Sequence, residues 1–287
     1  MALILMLGSG VAAQAAQYPF EQIETPFKGA RLFSPNVSTP KTSILMLHGS
    51  EGGSNYAGDI QAVTYAMMGY RVLRYCYFDC GRGITGPRET LRGVNAEGAL
   101  AAVKWLRELP GGNGKVAIYG VSRGAEFALI LGSMNYGAGE RPDAIIAHAP
   151  SDVFAGPVNW DWFEVACWLC RAGTACAVDE DFDWNMRCGP DDPRKVDFSV
   201  AAFRVGGRDL AAGTRIEIEK YDGPLMITVG EKDEIWPAQQ THNIDRTLRE
   251  AGRKPEIHYF PEGGHGLRGA DEVRRVNLLL NFLERIP

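Results

Sequence analysis

The chain has 287 residues, 45% of them hydrophobic and 23% charged, and a net charge of −5 at neutral pH. That is the balance of a globular protein with enough apolar side chains for one large core. With no basic cluster and no long charge run, it offers nothing that would hold nucleic acid or an anionic membrane.

Met1 to Ala16 is apolar or small throughout apart from Gln14, and Ala13-Gln14-Ala15 resembles the small-x-small pattern before a signal-peptidase cut. The stretch is too short to span a bilayer as a helix, and no Lys or Arg precedes Glu21 to make a positive n-region. The expectation is a signal peptide over residues 1–16, a periplasmic or secreted product, and one domain over 17–287. Without a functional leader the protein would be cytoplasmic.

Phe20 to Ile23 and Ala30 to Phe33 read as edge strands, separated by Pro26 and Gly29. Thr42 to Leu47 is a buried strand by its continuous apolar run, ending at His48-Gly49-Ser50-Glu51-Gly52-Gly53. A helix is predicted from Gly58 to Met68, a second buried strand over Arg71 to Tyr77, and a loop over 78–93. Asn95 to Leu109 has apolar residues at helical spacing and stops at Pro110-Gly111-Gly112. Next come the strand Val116 to Tyr119, the pentapeptide Gly120-Val121-Ser122-Arg123-Gly124, a helix from Ala125 to Leu131 and a strand from Ala144 to Ala149. From Pro150 to about Asp209 the strand–helix rhythm breaks in a segment rich in Trp, Cys and Asp. It is too short for a sizeable core of its own and reads as an insertion roofing the site. The rhythm resumes with a strand over Leu225 to Val229, a helix over Ala238 to Ala251, a strand over Glu256 to Tyr259 and a closing helix over Asp271 to Arg285. Strands alternating with helices predict an α/β fold, a mostly parallel sheet covered on both faces. Ligands of such sheets bind beyond the carboxyl ends of the strands.

Strand, Gly-x-Ser-x-Gly, helix is the context of a nucleophile elbow, which lifts the serine Oγ above the sheet edge. Serine is a poor nucleophile alone and needs a base. Of the five histidines, His48 shapes the loop after the first central strand, and His148 comes too early in chain order. His242 lies in a predicted helix, and His258 reads as a core histidine. His265, in Pro261-Glu262-Gly263-Gly264-His265-Gly266, sits in a flexible loop that can reach across the sheet edge. The carboxylate that fixes the base is Asp233, three residues past the glycine that ends a buried strand. Its neighbours Glu231 and Glu234 read as solvated or helix-capping. The order Ser122, Asp233, His265 is that of α/β-hydrolases. The oxyanion that forms on acyl transfer needs donors. One is expected from the backbone N–H of Arg123 and the other from the loop after the first central strand, at Ser50 or Glu51.

With these residues in place, the chain resembles an α/β-hydrolase with a serine triad. More narrowly, it is similar to the catalytic domain of the acyl-CoA thioesterase and bile acid-CoA:amino acid N-acyltransferase family. The resemblance lies in Gly120 to Glu126, Ala149-Pro150-Ser151, and Ile216 to Pro224 running into Gly230-Glu231-Lys232-Asp233-Glu234-Ile235-Trp236-Pro237. Dienelactone hydrolases share the frame more loosely. Residues 17–41 are too few to hold the family's N-terminal β-sandwich, so no counterpart of it is expected between the leader and the first central strand. Ser122 stands where transferase members can use cysteine, and export is hard to reconcile with cytosolic coenzyme A thioesters.

Cys76 and Cys80 are close enough for a local disulfide, and Cys167, Cys170, Cys176 and Cys188 suit a disulfide-pinned loop better than a zinc site. No metal or cofactor is expected. The expected substrate is a small or medium organic ester, with Trp160, Trp162 and Trp236 as candidate pocket residues. An acyl-CoA thioester, or less readily a peptide, is the alternative.

Overall fold

The computed structural model describes residues 19–54, 57–81, 91–156 and 201–287. Its centre is an eight-stranded sheet of β1 (Phe20–Ile23), β2 (Arg31–Pro35), β3 (Ser43–Leu47), β4 (Val72–Tyr75), β6 (Val116–Val121), β7 (Ala144–His148), β10 (Leu225–Gly230) and β11 (Glu256–Phe260). The spatial order is β1-β2-β4-β3-β6-β7-β10-β11. Pairings from β4 to β11 are parallel, and β1 and β2 add antiparallel partners at one end. A parallel strand buried on both faces reads as a continuous apolar run, as β3 and β10 do, all their residues being buried.

Five α-helices cover the sheet among the described residues: α1 (Ala57–Met67), α2 (Glu97–Glu108), α3 (Arg123–Gly132), α4 (Ala238–Glu250) and α5 (Gly269–Glu284). Alternation along each strand divides the core into two layers. Leu45 and Leu47 of β3 join Leu100 of α2 and Phe127 of α3 on one face. Ile44 and Met46 join Tyr65 of α1 and Leu279 of α5 on the other. The α2 helix shows the cause locally. Ala99, Leu100, Val103 and Leu106 form its buried stripe, and the chain turns extended at Leu109, ahead of Pro110.

Three expectations are corrected. Arg31–Pro35 is not an edge strand: β2 lies between β1 and β4 and is buried from Leu32 onward. The stretch before α2 is not helical from Asn95, because β5 (Val94–Asn95) pairs with β8 (Phe203–Val205), which pairs with β9 (Arg208–Asp209) in a small second sheet. The end of the 150–209 segment is therefore regular. Strands of two or three residues leave no periodicity to read.

Candidate active site

The strand β6 runs into α3 through Ser122, whose backbone sits at φ 55° and ψ −121°. A left-handed φ is costly for any residue bearing a β-carbon, and the surroundings hold it there. The Ser122 N–H donates to His148 O at 2.9 Å, and its carbonyl accepts the N–H groups of Ala125 and Glu126. The flanking glycines make the turn feasible. A β-carbon on Gly124 would lie 2.5 Å from Leu47 O, and one on Gly120 would overlap the Gly124 carbonyl.

Asp233 lies just past β10 and His265 just past β11, at neighbouring carboxyl ends of the sheet. Asp233 is buried, and both its carboxylate oxygens meet His265 Nδ1, at 3.0 and 2.9 Å. Its Oδ1 also accepts the backbone N–H groups of Ile235 and Trp236, each at 2.8 Å. A carboxylate held by fixed donors orients the ring bonded to it. Glu234 is no helix cap: its Oε2 accepts the backbone N–H of His265 at 3.1 Å, a second tie on the histidine loop.

Trp236 links the two halves. While its backbone N–H binds Asp233, its indole Nε1 donates to Ser122 Oγ at 3.0 Å. The side chain is buried. Trp236 was expected as a pocket residue; its indole N–H is what sequence reasoning missed, and a tryptophan three residues after the acid was the available signal. Among the described residues no hydrogen bond joins Ser122 Oγ to His265, a contact that commonly tightens only when substrate is bound.

Arg123 opens α3, so its backbone N–H is among the first amides of a helix, which point outward along the axis. Its side chain is buried in an ion pair, Nη1 to Glu126 Oε2 at 2.5 Å, and also donates to Gly156 O. Glu126 Oε1 accepts Ala155 N–H at 2.8 Å. These two side chains tie Ala155 and Gly156, at the start of the 150–209 segment, to α3, a role the sequence pattern did not reveal.

The loop after β3 passes beside Ser122: the place of a β-carbon on Gly49 is 3.4 Å from Ser122 Cβ. Ser50 and Glu51 follow, both half-buried. His48 does shape this loop. Its Nδ1 is 2.9 Å from Gly49 O, its ring stacks on Tyr77 at 4.1 Å, and burial lowers its pKa to about 3. His148 is likewise buried, with Nδ1 2.9 Å from Thr228 Oγ1 and a pKa lowered to about 3, chiefly by burial. His258 is no core histidine: it is half-buried, with Nε2 2.9 Å from Glu256 Oε1. Cys76 and Cys80 form a disulfide. Trp160, Trp162 and the other four cysteines lie outside the described residues.

Known proteins bear on this arrangement in two ways. No curated protein matches the chain. Several solved structures share its fold. A carbohydrate esterase from gut microbiota has a TM-score of 0.59 at 14% identity, covering 94% of this chain and 99% of its own. Esterase 2 of Thermogutta terrifontis, solved phosphonylated by sarin, has 0.56 at 17%, covering 90% of each. A Klebsiella pneumoniae protein described as a dienelactone hydrolase has 0.56 at 13%, covering 93% and 98%. At such identities the likeness is one of fold, the α/β-hydrolase fold, as the strand order and the elbow already indicated. The family model for the C-terminal region of BAAT and acyl-CoA thioester hydrolases matches residues 100–269, from α2 through the His265 loop. The chain belongs to the BAAT / acyl-CoA thioester hydrolase C-terminal family and is an α/β-hydrolase.

Proposed function

We propose that the protein is a serine hydrolase that cleaves a carboxylic ester of a small or medium organic substrate through an acyl-enzyme. The observation that carries this reading is the Asp233–His265 pair, linked through Trp236 to a serine held at φ 55° on a strand–helix turn. In the mechanism, Ser122 Oγ attacks the acyl carbon as His265 Nε2 takes the hydroxyl proton. Asp233 holds Nδ1–H and so leaves Nε2 as the acceptor. The carbonyl electron pair moves to oxygen, where the backbone N–H of Arg123 and that of Ser50 or Glu51 receive it. One such donor is worth about 3 kcal/mol in the transition state. Collapse expels the alcohol, protonated by His265. Water then repeats the sequence on the acyl-enzyme and releases the acid.

Trp236 suits this scheme. Indole is a donor only, so it occupies a lone pair of Ser122 Oγ and leaves the hydroxyl proton for His265.

A second reading, hydrolysis of an acyl-CoA thioester, is favoured by the family to which the chain belongs. Export favours the oxygen ester, and the Cys76–Cys80 disulfide is at home in an oxidising compartment. Among the described residues no helix is long and apolar enough to cross a membrane. We place the mature protein in the periplasm or outside the cell after loss of residues 1–16, as one domain; residues 157–200, most of the expected roof over the site, lie outside the described residues.

Hydrolysis of p-nitrophenyl esters and of acyl-CoA by the wild type and by Ser122→Ala tests the proposal. Ester turnover lost in the variant is the expected result. Full turnover in the variant rejects the mechanism, and turnover of acyl-CoA alone selects the second reading.

A further inference from the structure

The loop after β3 carries an acid, Glu51, whose side chain folds back along its own backbone. Its Oε1 accepts the Gly49 N–H at 2.9 Å. The place of a β-carbon on Gly49 is 2.5 Å from Glu51 Oε2 and 3.4 Å from Ser122 Cβ. The carboxyl and the serine thus flank one gap, kept open by a glycine. This is the loop that supplies an oxyanion donor, so an ionised carboxylate here would repel the charge growing on the acyl oxygen. A protonated one would attract it. With Oε1 occupied as an acceptor, the hydrogen belongs on Oε2.

The surroundings bear on which form is present. Arg74 from β4, His265 from the loop after β11, and the backbone N–H groups of Gly49 and Glu51 itself favour the anion. Burial outweighs them and pushes the carboxyl above its ordinary value. Tyr77 and His48 are each kept uncharged by burial.

We propose that Glu51 is a third oxyanion donor, its Oε2–H hydrogen-bonding the acyl oxygen as that atom turns negative. The proposal rests on Ser122 being the nucleophile. Glu51 keeps its proton throughout: the serine proton passes to His265 and then to the leaving alcohol. The carbonyl electron pair goes to the oxyanion and returns as the C–O bond breaks. A neutral carboxyl supplements the backbone donors without adding charge to the site.

The test compares Glu51→Ala and Glu51→Gln with the wild type on a p-nitrophenyl ester across pH 5 to 9. A fluorophosphonate probe counts active serines in each. Glu51→Ala should lower kcat about 100-fold with little change in KM, the cost of an oxyanion donor. Glu51→Gln, which keeps a neutral donor, should lose only about 10-fold. The wild type should lose kcat on the alkaline side as Glu51 ionises, and Glu51→Gln should lack that fall. Equal losses in the two variants, or none in either, overturn the proposal, as does an alkaline fall that persists in Glu51→Gln. If Glu51→Ala does not fold, the Glu51→Gln profile decides alone. Failure of the probe to label wild-type Ser122 overturns the nucleophile assignment and this proposal together. Normal labelling with unaltered Glu51 variants overturns this proposal only.

Discussion

The indole N–H of Trp236 donates to Ser122 Oγ at 3.0 Å, while the backbone N–H of the same residue donates to Asp233 at 2.8 Å. One residue therefore holds both the hydroxyl proposed to attack and the carboxylate proposed to orient the base. Trp236→Phe keeps the ring and the backbone bond but deletes the indole donor. It should lower kcat about 5- to 10-fold, the worth of one neutral hydrogen bond, with KM nearly constant. Steady-state kinetics on a chromogenic ester check this, and an unchanged kcat would remove Trp236 from the scheme.

The elbow makes a steric prediction. A β-carbon on Gly124 would stand 2.5 Å from Leu47 O and 2.6 Å from His48 O, both main-chain atoms that cannot yield separately. Gly124→Ala should leave little folded protein, whereas Gly213→Ala, with open space but a φ of 80°, should cost about 1 kcal/mol or slightly more. Soluble yield and thermal unfolding distinguish the two.

Arg123 and Glu126 are both fully buried and pair at 2.5 Å. Breaking such a pair strands a charge, so Glu126→Ala should destabilise the protein by about 3–5 kcal/mol. The double variant Arg123→Met/Glu126→Leu strands no charge and should recover a large part of that loss. Urea unfolding measures both. The same ties anchor Ala155 and Gly156, so the single variant should also raise KM.

His48 and His148 each have a pKa lowered from 6.5 to about 3, chiefly by burial. The unfolded chain binds a proton at each site below pH 6.5, and the folded chain does not until about 3. Their contribution is thus complete above 6.5 and is lost as pH falls toward 3. Each histidine should contribute a slope of about 1.4 kcal/mol per pH unit within that window. Glu51 and Glu126, raised by burial, act in the opposite sense. The difference between wild type and His148→Gln isolates one histidine: the wild-type advantage should shrink steadily from pH 6 to 4. A constant difference would mean that His148 is protonated in the folded state.

Much of this was legible in residue order. Continuous apolar runs marked β3, β6, β7 and β10 because strands covered on both faces cannot alternate. Gly-x-Ser-x-Gly marked the elbow because main chain passes where β-carbons would be. Asp233 and His265 followed from chain order once that elbow was placed. What escaped was set by contacts distant in sequence. Nothing local distinguishes Val94–Asn95 as a strand whose partner is Phe203–Val205. The second-strand position of Arg31–Pro35 depends on β4, about forty residues on. The N–H of Trp236 gained meaning only when Ser122, far earlier in the chain, came within reach. Glu234, Arg123 and Glu126 look like surface helix charges in sequence, and only the fold turns them inward or onto the His265 loop.

The central claim is that Ser122 becomes acylated during turnover. Intact-mass measurement of the protein quenched in acid during hydrolysis of a p-nitrophenyl ester tests it, with peptide mapping to place the adduct. The account predicts one acyl group on Ser122 of the wild type, accumulated further in His265→Ala, and none in Ser122→Ala. Turnover with no adduct in any of them, or an adduct on another residue that survives Ser122→Ala, would contradict it.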